Sequence, residues 1–537
     1  MNFSLLCKHL SRITFLIALT MVFSLPWAFP AIGGSAEFEY DGFFGLLGAM
    51  AIALFVSGLL WFFGQHAVGQ LYRKEAMAIV GLSWMLATVL GAIPYLLSLT
   101  EMSPGRVMQI WDACFESQSG FSTTGATVLT DVQMEDGHAL VPRSILFWRS
   151  STHFLGGMGI IVLFVAILGQ GSAGKTLMRS EIPGPTKEGP QTRMQHTALV
   201  FAAIYIVLTF VLSIFLGCCG LSWFDSLCTA FGTMATGGFS TYNDSVGHFS
   251  QLPNVGVTGA LWAESFIMLF MVIAGTNFTL LYFAAIGKPL KLIKDVEWRT
   301  YITTLFVLTL LIVFFGYLHR DDLFYLGSDF WPSFASGLRH SSFQVISIMT
   351  TTGFSSDANF DAWNNFGRGT LLLLMFVGGC AGSTGGGLKV IRHIMFLNII
   401  RLELEKAYHP TVVRPLRLGG QPVEDQNLRK NILVYFGLIL VIFIFSWMFL
   451  ITTEPNETWI RGGTGAEHMD HKLIDCASSV AATLNNVGPG LGTVGPKYTY
   501  THFTPQAKVL FIWLMMVGRL EIFAILVLFL PGFWRNH

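Results

Sequence analysis

Charged side chains are scarce in this chain of 537 residues: they make up 12% of it, whereas apolar residues make up 53%. A typical soluble domain has about 25% charged residues, so the composition excludes an ordinary soluble protein and a disordered chain. The 32 basic and 32 acidic residues cancel, and without a basic surplus we expect no nucleic-acid partner. The composition indicates a membrane protein surrounded by lipids, with spans of about 20 apolar residues each.

Cysteine is also infrequent, with seven residues and no Cys-x-x-Cys pair. An odd number of cysteines in mostly apolar surroundings argues against a disulfide framework and against a zinc site. We interpret them as small apolar residues in packed helices. A nucleophile–base constellation is missing as well, so we expect no enzymatic activity and no bound organic cofactor.

Apolar runs of spanning length recur along the chain, and they predict ten membrane spans. These lie near 12–33, 43–63, 77–99, 144–169, 197–217, 260–286, 301–318, 368–400, 431–451 and 507–530. The first run is too long for the apolar part of a signal peptide and lacks a small-residue cleavage site. We therefore expect it to be a span.

Ten spans place both termini on one side of the membrane, and the charges then separate by side. The side of the termini has 21 Lys and Arg against nine acids, whereas the other side has ten against 22. Short cytoplasmic loops are enriched in Lys and Arg, which predicts that both termini are cytoplasmic. The opposite surface is acidic and would concentrate cations.

Four segments on the acidic side share one register, in which an Asp or His lies 13 residues before a glycine. The pairs are Asp112 and Gly125, Asp225 and Gly238, His340 and Gly353, and Asp475 and Gly488. We call these four glycines the repeat glycines. In the first segment the spacing selects Gly125 rather than Gly120. A span precedes and follows each segment, so a unit of span, short helix, Gly-bearing loop and span occurs four times.

Each stretch of about 12 residues before a repeat glycine is too short to cross a bilayer. It suits a re-entrant helix that the Asp caps at its N-terminus. All four stretches enter from the same side, which predicts parallel rather than inverted repeats. Four loops meeting on one axis would form a ring of backbone carbonyls, the arrangement that replaces the hydration shell of potassium in channels.

We therefore predict an all-α integral membrane protein with four parallel span–pore helix–span repeats around a central pore, preceded by two extra transmembrane helices. The predicted bounds are 1–76 for the two N-terminal spans, 77–196, 197–300 and 301–430 for the first three repeats, and 431–537 for the fourth.

The segments STTG (122–125), ATGG (235–238), TTTG (350–353) and NNVG (485–488) resemble the four filter segments of the Trk/Ktr/HKT superfamily of potassium transporters. GGCAGSTGGGLKVIR (378–392) and VGRLEIF (517–523) resemble its TrkH branch. The resemblance covers nearly the whole chain, including the two N-terminal spans. It implies a potassium filter formed by Thr124, Gly125, Gly237, Gly238, Thr352, Gly353, Val487 and Gly488.

The resemblance also implies a potassium ion as substrate, a homodimer in the bacterial cytoplasmic (inner) membrane, and a cytosolic TrkA-type regulatory subunit that binds NAD(H) and adenine nucleotides. Plant relatives with serine at the first repeat glycine transport sodium, and glycine at all four positions here favours potassium. Asn485 and Asn486 set the fourth segment apart. A sodium or ammonium pathway is therefore the alternative, and a secondary metabolite transporter is a further one. Passive flux and coupling to protons or sodium both stay open.

Six of the ten residues 378–387 are glycine inside an apolar span: Gly378, Gly379, Gly382, Gly385, Gly386 and Gly387. We call residues 378–387 the Gly-rich loop. Each glycine costs about 1 kcal/mol in a helix interior, so we predict that the span breaks here. Close helix packing through small residues is one explanation of the glycines. The family resemblance implies the other, a mobile intramembrane gate below the filter.

Arg519 lies in the middle of the last predicted span, where an arginine costs about 2.5–3.5 kcal/mol. Glu521, two residues further on, points to a different helix face and is a poor direct partner. Arg519 is either half of a buried structural ion pair or a cation that faces the pathway and contacts the Gly-rich loop. The resemblance implies the second role.

Overall fold

Long apolar helices form most of the structure, a computed structural model that describes residues 1–34, 37–69, 72–132, 140–168, 194–319, 330–356, 359–410, 417–418, 421–422, 426–459, 466–520 and 522–534. Glu521 lies outside these residues.

The helices of the first half of the chain fall in the predicted N-terminal spans and the first two predicted repeats. They are α1 (Phe3–Met21), α2 (Pro30–Gly33), α3 (Tyr40–Gly64), α4 (Arg73–Leu97), α5 (Ile110–Phe121), α6 (Arg143–Leu168), α7 (Met194–Cys218), α8 (Trp223–Met234), α9 (Gly256–Ala274) and α10 (Phe278–Ala285). Two short strands, β1 (Glu101–Ser103) and β2 (Arg106–Val107), pair antiparallel before α5.

The second half of the chain is built in the same way. Its helices are α11 (Leu290–Lys294), α12 (Val296–Leu318), α13 (Phe330–Met349), α14 (Asn365–Leu374), α15 (Val390–Tyr408), α16 (Gln426–Thr453), α17 (Ala466–Leu484), α18 (Pro505–Leu520), α19 (Ile522–Leu526) and α20 (Pro531–Trp534). Strands β3 (Arg417–Leu418) and β4 (Gln421–Pro422) form a second antiparallel pair. The predicted helical fold class is confirmed.

Seven helical segments among the described residues are long and apolar enough to cross a membrane. They are Phe3–Ala28, Tyr40–Gly64, Lys74–Leu97, Ala198–Cys218, Gly256–Ala274, Val296–Leu318 and Arg429–Thr453, and each falls on a predicted span. Of the other three predicted spans, 144–169 falls on the continuous helix α6. The span at 368–400 is interrupted, and that at 507–530 is divided among α18, α19 and a 3-10 turn, Val527–Phe529.

Two of the predicted spans break next to one another in the fold. The span at 368–400 divides into α14 and α15 around the Gly-rich loop, as the glycine content predicts. The span at 260–286 also breaks, between Ala274 and Phe278, which its hydropathy does not indicate. Asn277 begins the second piece, because its side chain accepts a hydrogen bond from the Thr279 N–H over 2.7 Å.

Four helices, α5, α8, α13 and α17, end just before the repeat glycines, and we call them the repeat helices. α5 and α8 have the predicted 12 residues, but α13 has 20 and α17 has 19. The prediction of Asp N-caps is wrong. Gln109 and Ser222 cap α5 and α8, while Asp112 and Asp225 lie at the third helical position, where a carboxylate still faces the positive end of the helix. Asp475 lies inside α17.

Each repeat helix packs between the span before it and the span after it. α5 lies against α4 and α6, α8 against α7 and α9, α13 against α12 and α14, and α17 against α16 and α18. Contacts also join successive units, from α6 to α8, from α9 to α13, and from α18 back to α5. The N-terminal helices α1 and α3 pack against each other and against α4.

Candidate functional site

All four repeat helices end in the same hydrogen-bonded turn. In each, the residue before the repeat glycine donates its backbone N–H to the carbonyl oxygen five residues earlier, as in a Schellman helix end. These bonds join Thr124 to Ser119 (2.9 Å), Gly237 to Gly232 (2.7 Å), Thr352 to Ser347 (2.8 Å) and Val487 to Ala482 (2.8 Å). Four different sequences therefore adopt one backbone conformation at this point.

The residue two positions before each repeat glycine has a left-handed backbone. Its φ is +52° at Thr123, +54° at Thr236, +59° at Thr351 and +55° at Asn486. β-Branched residues rarely adopt such angles, and strain of this kind persists where the surrounding structure fixes it. Asparagine adopts them more readily. The asparagine that makes the fourth segment unusual in sequence thus gives it the same turn as the other three.

The repeat glycines form a closed ring in which each glycine lies against the next segment. A Cβ atom added to any of them would lie 2.0–2.5 Å from the carbonyl oxygen of the residue that precedes the next repeat glycine. The contacts run from Gly125 to Gly237, from Gly238 to Thr352, from Gly353 to Val487 and from Gly488 back to Thr124. A side chain does not fit at such distances. Glycine is therefore required at all four positions, and the eight predicted filter residues lie together.

The register of the first segment is the one that the 13-residue spacing selects. Gly125 has φ +81° and lies in the ring, whereas Gly120 lies in the last turn of α5. A left-handed φ and a neighbouring carbonyl oxygen both exclude a side chain at Gly125. The glycine in the helix could not take its place, because the ring needs the turn that follows the helix.

Polar contacts close the ring between its fourth and first segments. The Asn486 side-chain amide donates to the Thr124 hydroxyl over 2.9 Å. The Tyr500 hydroxyl donates to the carbonyl oxygen of Gly488 over 2.8 Å, and the Tyr500 N–H donates to the carbonyl oxygen of Thr127 over 2.9 Å. One tyrosine therefore holds the segments that follow two different repeat glycines.

In the second, third and fourth units, the Asp or His at the start of the register holds the segment that follows the glycine. The Asp225 carboxylate accepts hydrogen bonds from the hydroxyls of Thr241 (2.7 Å) and Tyr242 (2.9 Å). His340 Nδ1 lies 3.3 Å from the Ser356 hydroxyl, within hydrogen-bond distance. These bonds give a physical reason for the fixed spacing, since a shift of the register would separate each pair.

The fourth unit follows the same pattern, whereas the first unit does not. The Asp475 carboxylate accepts the backbone N–H of Thr493 over 3.0 Å. Asp112 instead forms a buried ion pair with Lys508 of α18 over 2.6 Å. The first repeat helix, α5, is therefore joined to the last span, α18, so this contact links the first unit to the fourth.

The Gly-rich loop lies directly against the turns of the third and fourth repeat helices. The Gly386 N–H donates to the Thr351 hydroxyl over 2.7 Å. A Cβ atom on Gly386 would lie 2.7 Å from the Asn486 Cβ, and one on Gly387 would lie 3.0 Å from the carbonyl oxygen of Asn485. The loop thus contacts the left-handed residues that shape the ring.

The remaining glycines of the loop lie where it folds back on itself. Three hydrogen bonds close it onto the start of α15: from the Gly378 N–H to the Leu388 carbonyl (2.7 Å), from the Val390 N–H to the Gly379 carbonyl (3.2 Å), and from Lys389 Nζ to the Gly385 carbonyl. Of the six loop glycines, Gly385, Gly386 and Gly387 lie against the turns of the third and fourth repeat helices, whereas Gly379 and Gly382 face Gly275 and Asn277.

The loop rests on the break between α9 and α10, a surface that was not predicted from the sequence. The Thr384 hydroxyl donates to the carbonyl oxygen of Ala274 over 3.1 Å. The carbonyl oxygen of Gly382 accepts the Phe278 N–H over 3.0 Å. The free helix ends at this break supply the groups that hold the loop. A Gly275–Asn277 step inside an apolar run was the signal that could have revealed it.

Arg519 joins the Gly-rich loop to a span of the first repeat unit. Its Nη1 donates to the carbonyl oxygen of Thr384 over 2.6 Å, and its Nη2 donates to that of Gly156 on α6 over 3.0 Å. Arg519, one of the predicted site residues, therefore lies beside the Gly-rich loop and makes the contact that the family resemblance implies. Backbone carbonyls accept its charge-assisted hydrogen bonds.

Glu297 also belongs to the site and was not predicted from the sequence. It is 7% exposed in the first turn of α12, and its Oε1 accepts the N–H groups of Ala381 (2.7 Å) and Ile391 (3.1 Å). One carboxylate thus holds the middle of the Gly-rich loop and the start of the helix that follows it. The charge of Glu297 places it in a loop on sequence grounds, and only the folded chain shows what it contacts.

The oxygen atoms at the ring belong to the backbone rather than to acidic side chains. Among the described residues, no group of three or more His, Cys, Asp or Glu is placed to hold a metal ion. The seven cysteines, all within the described ranges, are free thiols. A ring of carbonyl-bearing loops, enclosed by helices long enough to cross a bilayer, is the arrangement of a membrane protein that passes cations.

Comparison with known proteins agrees with this class. Residues 46–535 match the family model of TrkH, described as a cation transport protein. The Trk system potassium uptake protein TrkH of Escherichia coli K12 is 36% identical over 491 residues, which are 90% of this chain and 91% of that protein. The Halomonas elongata protein of the same name is 33% identical over 540 residues, covering both chains fully. The crystal structure of the potassium transporter TrkH from Vibrio parahaemolyticus matches the whole fold with a TM-score of 0.78 and 30% identity.

The chain belongs to the TrkH family. It is therefore a membrane transport protein and not an enzyme, in agreement with the prediction from its sequence.

Proposed function

We propose that this protein takes up potassium ions across the cytoplasmic membrane of a bacterium. The observation that carries the proposal is the closed contact of each repeat glycine with the carbonyl-bearing residue of the next segment. Ringed carbonyl oxygens replace the water that a potassium ion loses on entering. The filter consists of Thr124, Gly125, Gly237, Gly238, Thr352, Gly353, Val487 and Gly488.

The direction of uptake follows from the charges of the two surfaces. Both termini are cytoplasmic, because the loops on their side have the excess of Lys and Arg. Potassium enters from the acidic outer side, loses its water at the ring and moves inward to the Gly-rich loop. The four units run in parallel around the path, and the packing of each repeat helix between two spans supports this arrangement.

The Gly-rich loop and Arg519 form the gate of this path. The loop contacts Thr351 and lies against Asn486 at the inner side of the ring, and Arg519 holds the loop through Thr384. The guanidinium also opposes the approach of a potassium ion by charge repulsion. For ions to pass, the loop has to leave the ring, which breaks the bond between Arg519 and Thr384.

Partner proteins control the gate from the cytoplasmic side. The protein forms a homodimer and assembles with a TrkA-type subunit that binds NAD(H) and adenine nucleotides. The names of the relatives, which describe them as parts of a Trk system, support a protein that works with other subunits. The basic segments 287–300 and 401–430 are the docking surfaces, and their charge suits a soluble acidic partner.

Growth at low potassium tests the proposal. A bacterial strain without its own potassium-uptake systems is given this chain together with a TrkA-type partner, and its growth is followed as potassium is lowered. We expect growth at low potassium with the chain and none without it. A Gly238→Ser variant, in which the added atoms would meet the Thr352 carbonyl, should behave like the empty strain. Equal growth with and without the chain would contradict potassium uptake.

A further inference from the structure

A buried ion pair lies behind the ring in the first repeat unit. Arg149 Nε on α6 is 2.6 Å from Glu116 Oε1 on α5, and the exposed fractions of the two side chains are 4% and 0%. A charge buried this deeply is unfavourable unless its partners satisfy it on every side. The contacts of the pair therefore indicate what it holds in place.

Both residues bind the segments that follow repeat glycines. The Glu116 carboxylate accepts the Thr127 hydroxyl over 2.9 Å and the Val128 N–H over 3.0 Å, just after Gly125. Arg149 Nη1 donates to the carbonyl oxygen of Ser240 over 2.9 Å, two residues after Gly238. One ion pair thus connects the first segment of the ring to the second.

An aromatic contact fixes the orientation of the guanidinium. The Arg149 guanidinium carbon lies 3.5 Å from the centre of the Phe239 ring, and His153 stacks on that ring with the two centres 4.0 Å apart. Phe239 directly follows the second repeat glycine. Arg149 therefore contacts the second segment at the backbone of Ser240 and at the side chain of Phe239.

The first unit is unlike the others at this position. Glu116 lies nine residues before its repeat glycine, and the residues nine before the other three are Thr229, Gln344 and Ser479. None of these can carry a charge. At this register position, a charged side chain therefore occurs only at the junction of the first and second segments.

We propose that the Glu116–Arg149 pair sets the spacing of the first two segments of the ring and thereby the preference for potassium over sodium. The inference rests on the proposed potassium filter. Neither side chain is an ion ligand; both are positioning residues, which act through the Thr127 hydroxyl and through the backbone of residues 128 and 240. Sodium is smaller than potassium, and a ring that is held open at one junction cannot contract around it.

Two substitutions separate this role from simple folding. Arg149→Lys keeps the positive charge, but an ammonium lacks the fork that reaches Glu116 and Ser240 together. Glu116→Gln keeps the shape and removes the charge. The matched control is Glu264→Gln, which alters another ion pair of 2.6 Å, between Arg339 of α13 and Glu264 of α9, that includes no residue of a repeat-glycine segment.

The measurement is rubidium and sodium uptake by the same proteoliposomes, each holding an equal amount of the chain with its TrkA-type partner. Losing one charge-assisted hydrogen bond corresponds to about a tenfold change in an equilibrium constant, so we expect the sodium-to-rubidium ratio to rise about tenfold in both variants. The Glu264→Gln ratio should equal that of the unmodified protein. If Glu116→Gln does not reconstitute, Arg149→Lys decides the test by itself.

If Arg149→Lys and Glu116→Gln have the same sodium-to-rubidium ratio as the unmodified protein, and the unmodified protein takes up rubidium, this inference is overturned. The proposed potassium filter is then unaffected. A lower total uptake at an unchanged ratio would also overturn the inference, since that is the result of a merely structural role. An unmodified protein that takes up no rubidium would instead overturn the potassium filter on which the inference depends.

Discussion

Arg519 donates a hydrogen bond of 2.6 Å to the carbonyl oxygen of Thr384, and this bond joins the last span of the chain to the Gly-rich loop of the third repeat unit. Its second donor reaches Gly156, so one guanidinium connects three repeat units. A residue in this position restrains the loop in the state that the structure represents. The consequences of removing it are specific and measurable.

Replacing Arg519 should release the gate. Hydrogen bonds to a charged group contribute about 1.5–3 kcal/mol each, so Arg519→Ala should raise rubidium uptake by at least about tenfold. Arg519→Lys keeps the charge but loses the two-pronged contact, and we expect an intermediate rate. Arg12→Ala, which alters an exposed arginine of α1, is the control. Uptake rates and affinities that both Arg519 variants leave unchanged would refute this role.

A side chain at Gly386 should push the loop off the ring. A Cβ atom there would lie 2.7 Å from the Asn486 Cβ, which is too close for either side to remain in place. We expect Gly386→Ala, and deletion of part of residues 380–387, to increase potassium flux. Gly369→Ala in α14 is the matched control, because its Cβ meets nothing within 4 Å. Flux that stays at the level of the unmodified protein in the deletion would argue against a gate.

Weakening Glu297 should loosen the loop by degrees. Its carboxylate accepts two N–H groups, from Ala381 and Ile391; a glutamine retains one neutral acceptor oxygen and an alanine none. A charged acceptor is worth about 1 kcal/mol more than a neutral one, so Glu297→Gln should raise rubidium uptake about fivefold and Glu297→Ala further. The exposed Asp41 of α3, changed to Asn, should have no effect. Equal rubidium uptake by the unmodified protein, Glu297→Gln and Glu297→Ala would show that Glu297 does not restrain the loop.

A side chain at a repeat glycine should stop potassium uptake. In Gly238→Ala the added carbon would lie 2.0 Å from the Thr352 carbonyl oxygen, at a backbone φ of +82°. Overpacking and a left-handed φ each cost about 1–3 kcal/mol, so potassium uptake should fall at least about tenfold at an equal amount of protein in the membrane. Gly437→Ala, in the open space around α16, should transport normally.

The sequence predicted the features that depend on local pattern. A 13-residue spacing selected Gly125 over Gly120, and six glycines within residues 378–387 predicted the broken span. Apart from the contact of Arg519 with the Gly-rich loop, which the family resemblance implied, it could not predict contacts between distant residues. The Glu297–Ala381 bond joins residues 84 positions apart, and periodicity carries no information about such a pair.

Two of the differences between the predicted and the observed helices have local causes. The helix α17 extends back to Ala466 through polar residues, which look like a loop on hydropathy but contain no helix breaker. The break after Ala274 is hidden in an apolar run, where only Gly275 and Asn277 mark it. Hydropathy finds the segments that meet lipid, and it gives little warning of helix ends that are buried in protein.

The most direct test of the account is a competition measurement of rubidium uptake. Cells that lack other potassium systems and contain this chain with a TrkA-type partner take up tracer rubidium in the presence of excess potassium, sodium or ammonium. We expect potassium to suppress the uptake of rubidium, and sodium and ammonium to leave it unchanged. Absence of rubidium uptake, or suppression by sodium or ammonium as strong as by potassium, would contradict a potassium filter at the four repeat glycines.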